Sequence, residues 1–390
     1  MARVTRGALL AQVAFVTSAG SSVRPMLTYR AVDLGASGLE IGLLATTFAL
    51  LPVLFAFAIG RGIDRRGPMR FLLAGSAVSV GGSTLAIAAP RLLVLYAATA
   101  ALGLGQLLSM LAQQSVVAAA PADERDRAFG RFSSATAVGL MAGPPLATVT
   151  ADHSEALGLS EAVVGLLVGL ILSVVAFVVA WAVRRHPFPG RQLTAAEPTH
   201  RLVAQIFRTG GMWQALLAGG TVLAAIDLLA AFLPLWARDR GISIGVVGLL
   251  LTVRGAFTLL SRIGSERLLR AVGRRVLLAG SLVAAAAGLL TLTFVGLLGA
   301  LLVMIVLGAG LGLAQPLTMS WIVAVSAPGT RGAALGLRVT ANRVAQATLP
   351  AAIAAVSAGS GANGVFWGAA LILSTASAAL MRAPMGRPGG

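Results

Sequence analysis

A chain of 390 residues that is 57% hydrophobic and only 11% charged falls far below the roughly 25% charge of soluble domains, which excludes a soluble globular protein. The net charge of +17 comes from 30 basic residues, all arginine, placed in short stretches between apolar runs. A nucleic-acid binder would gather them on one soluble face, so that class is excluded too.

Runs long enough to span a bilayer, ~20 residues, recur along the whole chain. They predict helices over 8–32, 39–60, 70–89, 92–120, 127–150, 161–183, 212–237, 244–264, 275–296, 297–326, 332–357 and 362–382. The runs lack strict alternation, which argues for helices rather than a barrel. Arg3 and Arg6 before the apolar run 7–23 resemble a secretory leader without a convincing small-residue cleavage site, and are read as the start of the first helix. The ninth and tenth helices are expected to join almost without a loop near 298–300. The 47 glycines suit close helix packing in lipid.

The arginines alternate from loop to loop. One set of connections holds Arg61, Arg65, Arg66 and Arg70, then Arg125, Arg127 and Arg131. It continues through the central segment to Arg262, Arg267, Arg270, Arg274 and Arg275, and ends with Arg331, Arg338, Arg382 and Arg387. The other set holds only Arg30, Arg91, Arg238 and Arg240, with Asp152, Glu155 and Glu161. This bias predicts both termini in the cytoplasm and an even number of spans. The segment 184–211, with Pro187, Pro189, Gly190 and Pro198, reads as a linker. It separates a first bundle, 1–183, from a second, 212–390.

The halves repeat. Gly35 matches Gly241, Gly42 matches Gly248, Gly67 matches Gly273 and Pro144 matches Pro350, all at an offset of 206. The run Leu72-Leu73-Ala74-Gly75-Ser76 reappears as Leu277-Leu278-Ala279-Gly280-Ser281. A near-constant offset across five helices indicates two parallel six-helix repeats.

Between the second and third runs lies Gly60-Arg61-Gly62-Ile63-Asp64-Arg65-Arg66-Gly67-Pro68-Met69-Arg70, read as a tight charged turn. The pattern Gly-x-x-x-Asp-Arg-x-Gly-x-x-Arg resembles the signature between helices 2 and 3 of the major facilitator superfamily of transporters. The resemblance covers nearly the whole chain. It implies an all-α integral membrane fold of twelve transmembrane helices and secondary active transport by alternating access. It also implies a conformational latch at Gly60, Asp64, Arg65, Gly67 and Arg70, with Asp64 meeting the N-terminus of the eleventh helix near 331–333. Gly139, Gly143 and Pro144 on the fifth helix are similar to the Gly-x-x-x-Gly-Pro motif of the superfamily's drug/proton antiporters, although Leu146-Ala147 stands where Gly-Gly usually follows. That points to proton-coupled export of small organic molecules. Proton-coupled import of an organic anion is the alternative.

Four charges fall deep in the predicted helices: Arg24, Asp227, Arg254 and Arg343. A charge at the bilayer centre costs at least ~2.5–3.5 kcal/mol, so each must face water, a partner or a ligand. Asp227 corresponds by repeat to Ser21, one turn from Arg24, so Asp227 and Arg24 form either a protonatable pair or a fixed structural bridge. Both are candidates for proton coupling. Arg24, Arg254, Arg343, Asn342, Gln346, Gln113 and Trp321 are candidates for ligand binding, since arginine offers a fork to carboxylate or phosphate. Their alternative roles are carbonyl capping and helix glue. With no cysteine there are no disulfides or thiolate metal sites. No catalytic triad, metal-ligand set or nucleotide-binding pattern appears either. An enzyme, a cofactor and a metal are therefore not expected. The expected partners are lipid, protons and a small molecule, which the arginines would suit as an anion. A monomer in a bacterial inner membrane is expected.

Overall fold

The computed structural model describes residues 3–118, 125–184, 210–263, 265–325, 331–357 and 359–382. Among them stand twelve long helices and no strand. These are α1 (Arg3–Asp33), α2 (Gly38–Arg66), α3 (Pro68–Ala88), α4 (Leu92–Ala118), α5 (Arg125–Ala151), α6 (Glu161–Val183), α7 (Met212–Arg238) and α8 (Ile244–Ile263), then α10 (Arg274–Leu292), α11 (Leu297–Val325), α12 (Arg331–Val356) and α13 (Gly361–Met381). An eight-residue helix, α9 (Ser265–Val272), lies between α8 and α10. Nine of the long helices are apolar enough to cross a membrane by composition alone. The other three, α1, α5 and α12, are long enough but too polar, and they carry many of the polar positions discussed below. The fold is all-α and integral to the membrane, as expected. Most of the linker 184–211 and its histidines, His186 and His200, lie outside the described residues.

Two boundaries differ from the sequence reading. The charged stretch after Gly60 is mostly helix, not turn, because α2 runs on to Arg66. Only Gly67 turns, at φ 80 and ψ 154, with its N–H closing on the Ile63 carbonyl at 2.9 Å. Pro68 then opens α3, where a missing N–H costs nothing. The ninth and tenth predicted helices do not abut either. The helix stops at Leu292, and Thr293 Oγ1 donates to the Leu290 carbonyl at 2.7 Å while accepting from Trp367 Nε1 at 3.1 Å. The next helix begins only at Leu297.

The chain divides into two compact units, Met1–Thr194 with Leu233–Thr252, and Ala195–Phe232 with Val253–Gly390. In the first, α1 packs on α5 and α6, and α3 packs on α4 and α6. A buried cluster of Leu9, Ile59, Ile63, Leu72, Leu107 and Val116 holds the α2–α3 turn to α1 and α4. In the second, α10 packs on α11 and α13, which repeats the relation of α3 to α4 and α6.

The repeat is visible in the turns themselves. Gly67 and Gly273 share one backbone conformation, φ 80 and 78 with ψ 154 and 158, a region only glycine occupies readily. Gly35 and Gly241 both have positive φ. The residue after each, Ala36 and Ile242, donates to a carbonyl five back, Ala31 and Ala237, at 2.9 Å in both cases.

Candidate functional site

The polar centre of the second unit is built on α12. Arg338, Asn342 and Gln346 are spaced four apart and therefore share one face. At that face Arg338 Nη2 reaches α11. It donates to Gln315 Oε1 at 2.7 Å, to the Gln315 carbonyl at 3.2 Å and to Thr318 Oγ1 at 3.3 Å. Gln346 Nε2 reaches α7 and donates to Asp227 Oδ2 at 2.7 Å. Arg343 Nη1 in turn donates to Gln346 Oε1 at 3.2 Å. A carboxylate, an amide and a guanidinium thus stand in series, with the amide as spacer.

Asn342 is 5% exposed, and its Oδ1 has no hydrogen-bond partner among the described residues. A buried acceptor left unpaired costs about 1–3 kcal/mol, so this atom is set up to receive a donor. Gly219 of α7 makes the room: a Cβ there would stand 3.0 Å from Asn342 Oδ1 and 3.9 Å from Arg338 Nε. Gln315 Nε2 is likewise buried without a partner. Trp321 is 9% exposed on α11, and its Nε1 would lie 3.2 Å from a Cβ at Gly211. Arg254 is half-buried on α8, where its carbonyl accepts from Thr258 Oγ1 at 3.0 Å. The same hydroxyl donates to the Gly308 carbonyl of α11 at 3.1 Å, which ties this turn of α8 to α11.

Arg338 was read from sequence as one of the loop arginines. It lies two turns inside α12, half-buried, and belongs to this polar face. Its four-residue spacing from Asn342 and Gln346 was the available signal.

The other candidates sit in the first unit. The Arg24 guanidinium of α1 lies over the Phe48 ring of α2, 4.4 Å from its centroid. Gln113 of α4 is 3% exposed. It donates to Gln12 Oε1 at 2.7 Å, and Gln12 Nε2 donates to Ser76 Oγ at 3.3 Å. Its amide thus ties α4 to α1 and α3. Gly139 and Gly143 of α5 press on α1. A Cβ at Gly139 would lie 2.6 Å from the Ala14 carbonyl oxygen, and one at Gly143 would overlap Ser21 Oγ and the Ser18 carbonyl. Ser21 Oγ donates to the Gly139 carbonyl at 3.1 Å. The backbone of Gly60, Asp64, Arg65, Gly67 and Arg70 is described, but the Asp64 side chain and those of 331–333 lie outside the description. No group of three or more His, Asp or Glu that could hold a metal occurs among the described residues.

Comparison with known proteins agrees with this fold. The profile of the Major Facilitator Superfamily matches residues 9–243 and 216–388, and the chain belongs to that family. It is therefore a multi-pass membrane transporter. Among solved structures, the nucleoside transporter NupG superposes with a TM-score of 0.78 at 14% identity, over 96% of this chain and 98% of that one. A POT family transporter in complex with a thioalcohol-conjugated peptide gives 0.77 at 12% identity, over 96% and 95%. A bacterial homolog of the human lysosomal transporter Spinster, inward-facing and occupied, gives 0.74 at 16% identity, over 98% and 97%. At these identities the likeness is one of fold. No curated protein matches the chain significantly in sequence.

Proposed function

We propose that this protein is a proton-coupled exporter of small acid-bearing organic molecules, working by alternating access. The observation that carries the proton coupling in this reading is the series Asp227–Gln346–Arg343, with Gln346 Nε2 2.7 Å from the carboxylate and Arg343 3.2 Å from the amide oxygen. Asp227 is assigned as the proton carrier. Arg343, Asn342, Gln346 and Arg338 are assigned to the ligand, with Trp321 and Arg254 at its margins, and Arg24 is kept as a second candidate for proton coupling. The similarity of Gly139, Gly143 and Pro144 to the antiporter motif supports export. Gly60, Asp64, Arg65, Gly67 and Arg70 are assigned to the latch. The arginine bias supports both termini in the cytoplasm.

The coupling follows from hydrogen-bond roles. Ionised Asp227 only accepts, so the Gln346 amide group faces it and the Gln346 carbonyl faces Arg343. Protonated Asp227 becomes a donor. Rotation of the amide then meets it with the carbonyl and withdraws that acceptor from Arg343. An anionic ligand supplies the replacement. This link between proton and anion specifically favours a second reading, proton-coupled import of an organic anion.

Reconstitution into liposomes with an imposed pH gradient decides among these. Asp227→Asn is expected to keep ligand binding and gradient-independent exchange while losing pH-driven accumulation. The sign of the gradient that drives wild-type flux separates export from import. Proton-driven transport at the wild-type rate in Asp227→Asn would overturn the assignment.

A further inference from the structure

The end of α2 holds a second site of different chemistry. A cleft of about 580 Å³ is lined by Ala58, Ile59, Arg61, Gly62, Arg65, Arg66 and Phe71. Its rim is three guanidinium groups and its floor is apolar. Gly62 makes the floor possible: the Phe71 ring lies so close that a Cβ at Gly62 would stand 2.5 Å from Phe71 Cζ. We propose that this cleft binds the headgroup of an anionic phospholipid.

Three observations select a lipid over a free anion. First, Leu54, Ala58, Arg61 and Arg65 follow one another at spacings of four, three and four, so they form one stripe of α2. That stripe changes from apolar to basic: Leu54 is 64% exposed and Ala58 is exposed, while beyond them Arg61 and Arg65 are exposed. An acyl chain fits the first part and a phosphate the second. Second, the change falls where the apolar run of α2 gives way at Gly60 to Arg61, just before Pro68 opens the apolar α3, and a basic cluster directly after an apolar span is where headgroups are met. Third, the stretch from Gly60 to Arg70 carries four arginines against the single Asp64, and basic clusters immediately beyond a span attract anionic lipids by about 1 kcal/mol per residue. The long arginine stems also pack along apolar surface while the charge reaches the phosphate. Lipid binding here is independent of transport direction.

The test uses the full chain in nanodiscs of phosphatidylcholine, with or without phosphatidylglycerol, read by native mass spectrometry and thermal unfolding. The wild type is expected to retain phosphatidylglycerol over phosphatidylcholine and to unfold at higher temperature in its presence. Arg61→Gln with Arg66→Gln should weaken retention by roughly 30-fold, the effect of two such charges. Arg61→Lys with Arg66→Lys should keep most of it, and Arg91→Gln, at the other end of α3, should change nothing. Equal retention of both lipids by the wild type would overturn the proposal without recourse to any variant. So would unchanged retention in the glutamine pair, an equal loss in Arg91→Gln, or equal stabilisation of the detergent-solubilised protein by inorganic phosphate.

Discussion

Gln346 keeps a carboxylate and a guanidinium one amide apart. A direct buried pair resists separation, because breaking it leaves an uncompensated charge. A neutral spacer that both donates and accepts lets the two ends answer each other without that cost. Arg343→Ala is expected to weaken binding of acid-bearing ligands by about 10- to 100-fold, the range of one charge-assisted hydrogen bond of ~1.5–3 kcal/mol. Its unfolding temperature should move little, since Arg343 is only half-buried. Calorimetric titration of carboxylate ligands beside a melting curve checks both halves of that statement. A strong preference for lipophilic cations, untouched by the change, would contradict it. Asp227, Asn342, Arg343 and Gln346 could be picked from sequence because polar groups inside apolar runs demand a reason. Arg338 was passed over because a cation near a helix start reads first as a topology signal, although its spacing from Asn342 and Gln346 puts it on their face.

At the level of helices, the α1–α5 junction of one unit and the α7–α12 junction of the other are built alike. Gly139 abuts Ala14 in the first, and in the second a Cβ at Gly220 would lie 2.9 Å from Ala345 Cβ. Ala14 and Gly220, like Gly139 and Ala345, are 206 residues apart. Two turns along, Ser21 donates to the Gly139 carbonyl, and its counterpart Asp227 accepts from Gln346. The same crossing is therefore spent on packing in one half and on a titratable polar series in the other. Gly143→Val should separate α1 from α5 and lower stability by about 1–3 kcal/mol, the usual cost of overpacking. Gly81→Ala, where nothing lies within 4 Å of the added carbon, should be tolerated. Thermal unfolding of the two variants in detergent compares them directly.

For the molecule as a whole, the α2–α3 turn rests on a buried base. Ile59, Ile63 and Leu72 are 8% or less exposed, so changing a charge above them should not unfold it. Asp64→Asn is accordingly expected to fold and to shift the population towards the inward-open state, as a released latch would. Reactivity of cysteines introduced along the inner ends of the helices measures the shift, and unchanged reactivity would remove Asp64 from that role.

The sequence by itself determined the class, the helix number and the repeat. Those depend on local quantities: the length of apolar runs, the alternation of arginine and a 206-residue offset, each readable without knowing what touches what. It also named most of the polar residues that matter, since burial of charge is costly wherever it happens. Only the tertiary structure decided their company. Gln113 ties α4 to α1 and Gln346 stands between Asp227 and Arg343, because partners more than a hundred residues apart, such as Asp227 and Gln346, are brought together by helix packing and leave no periodic trace in the chain.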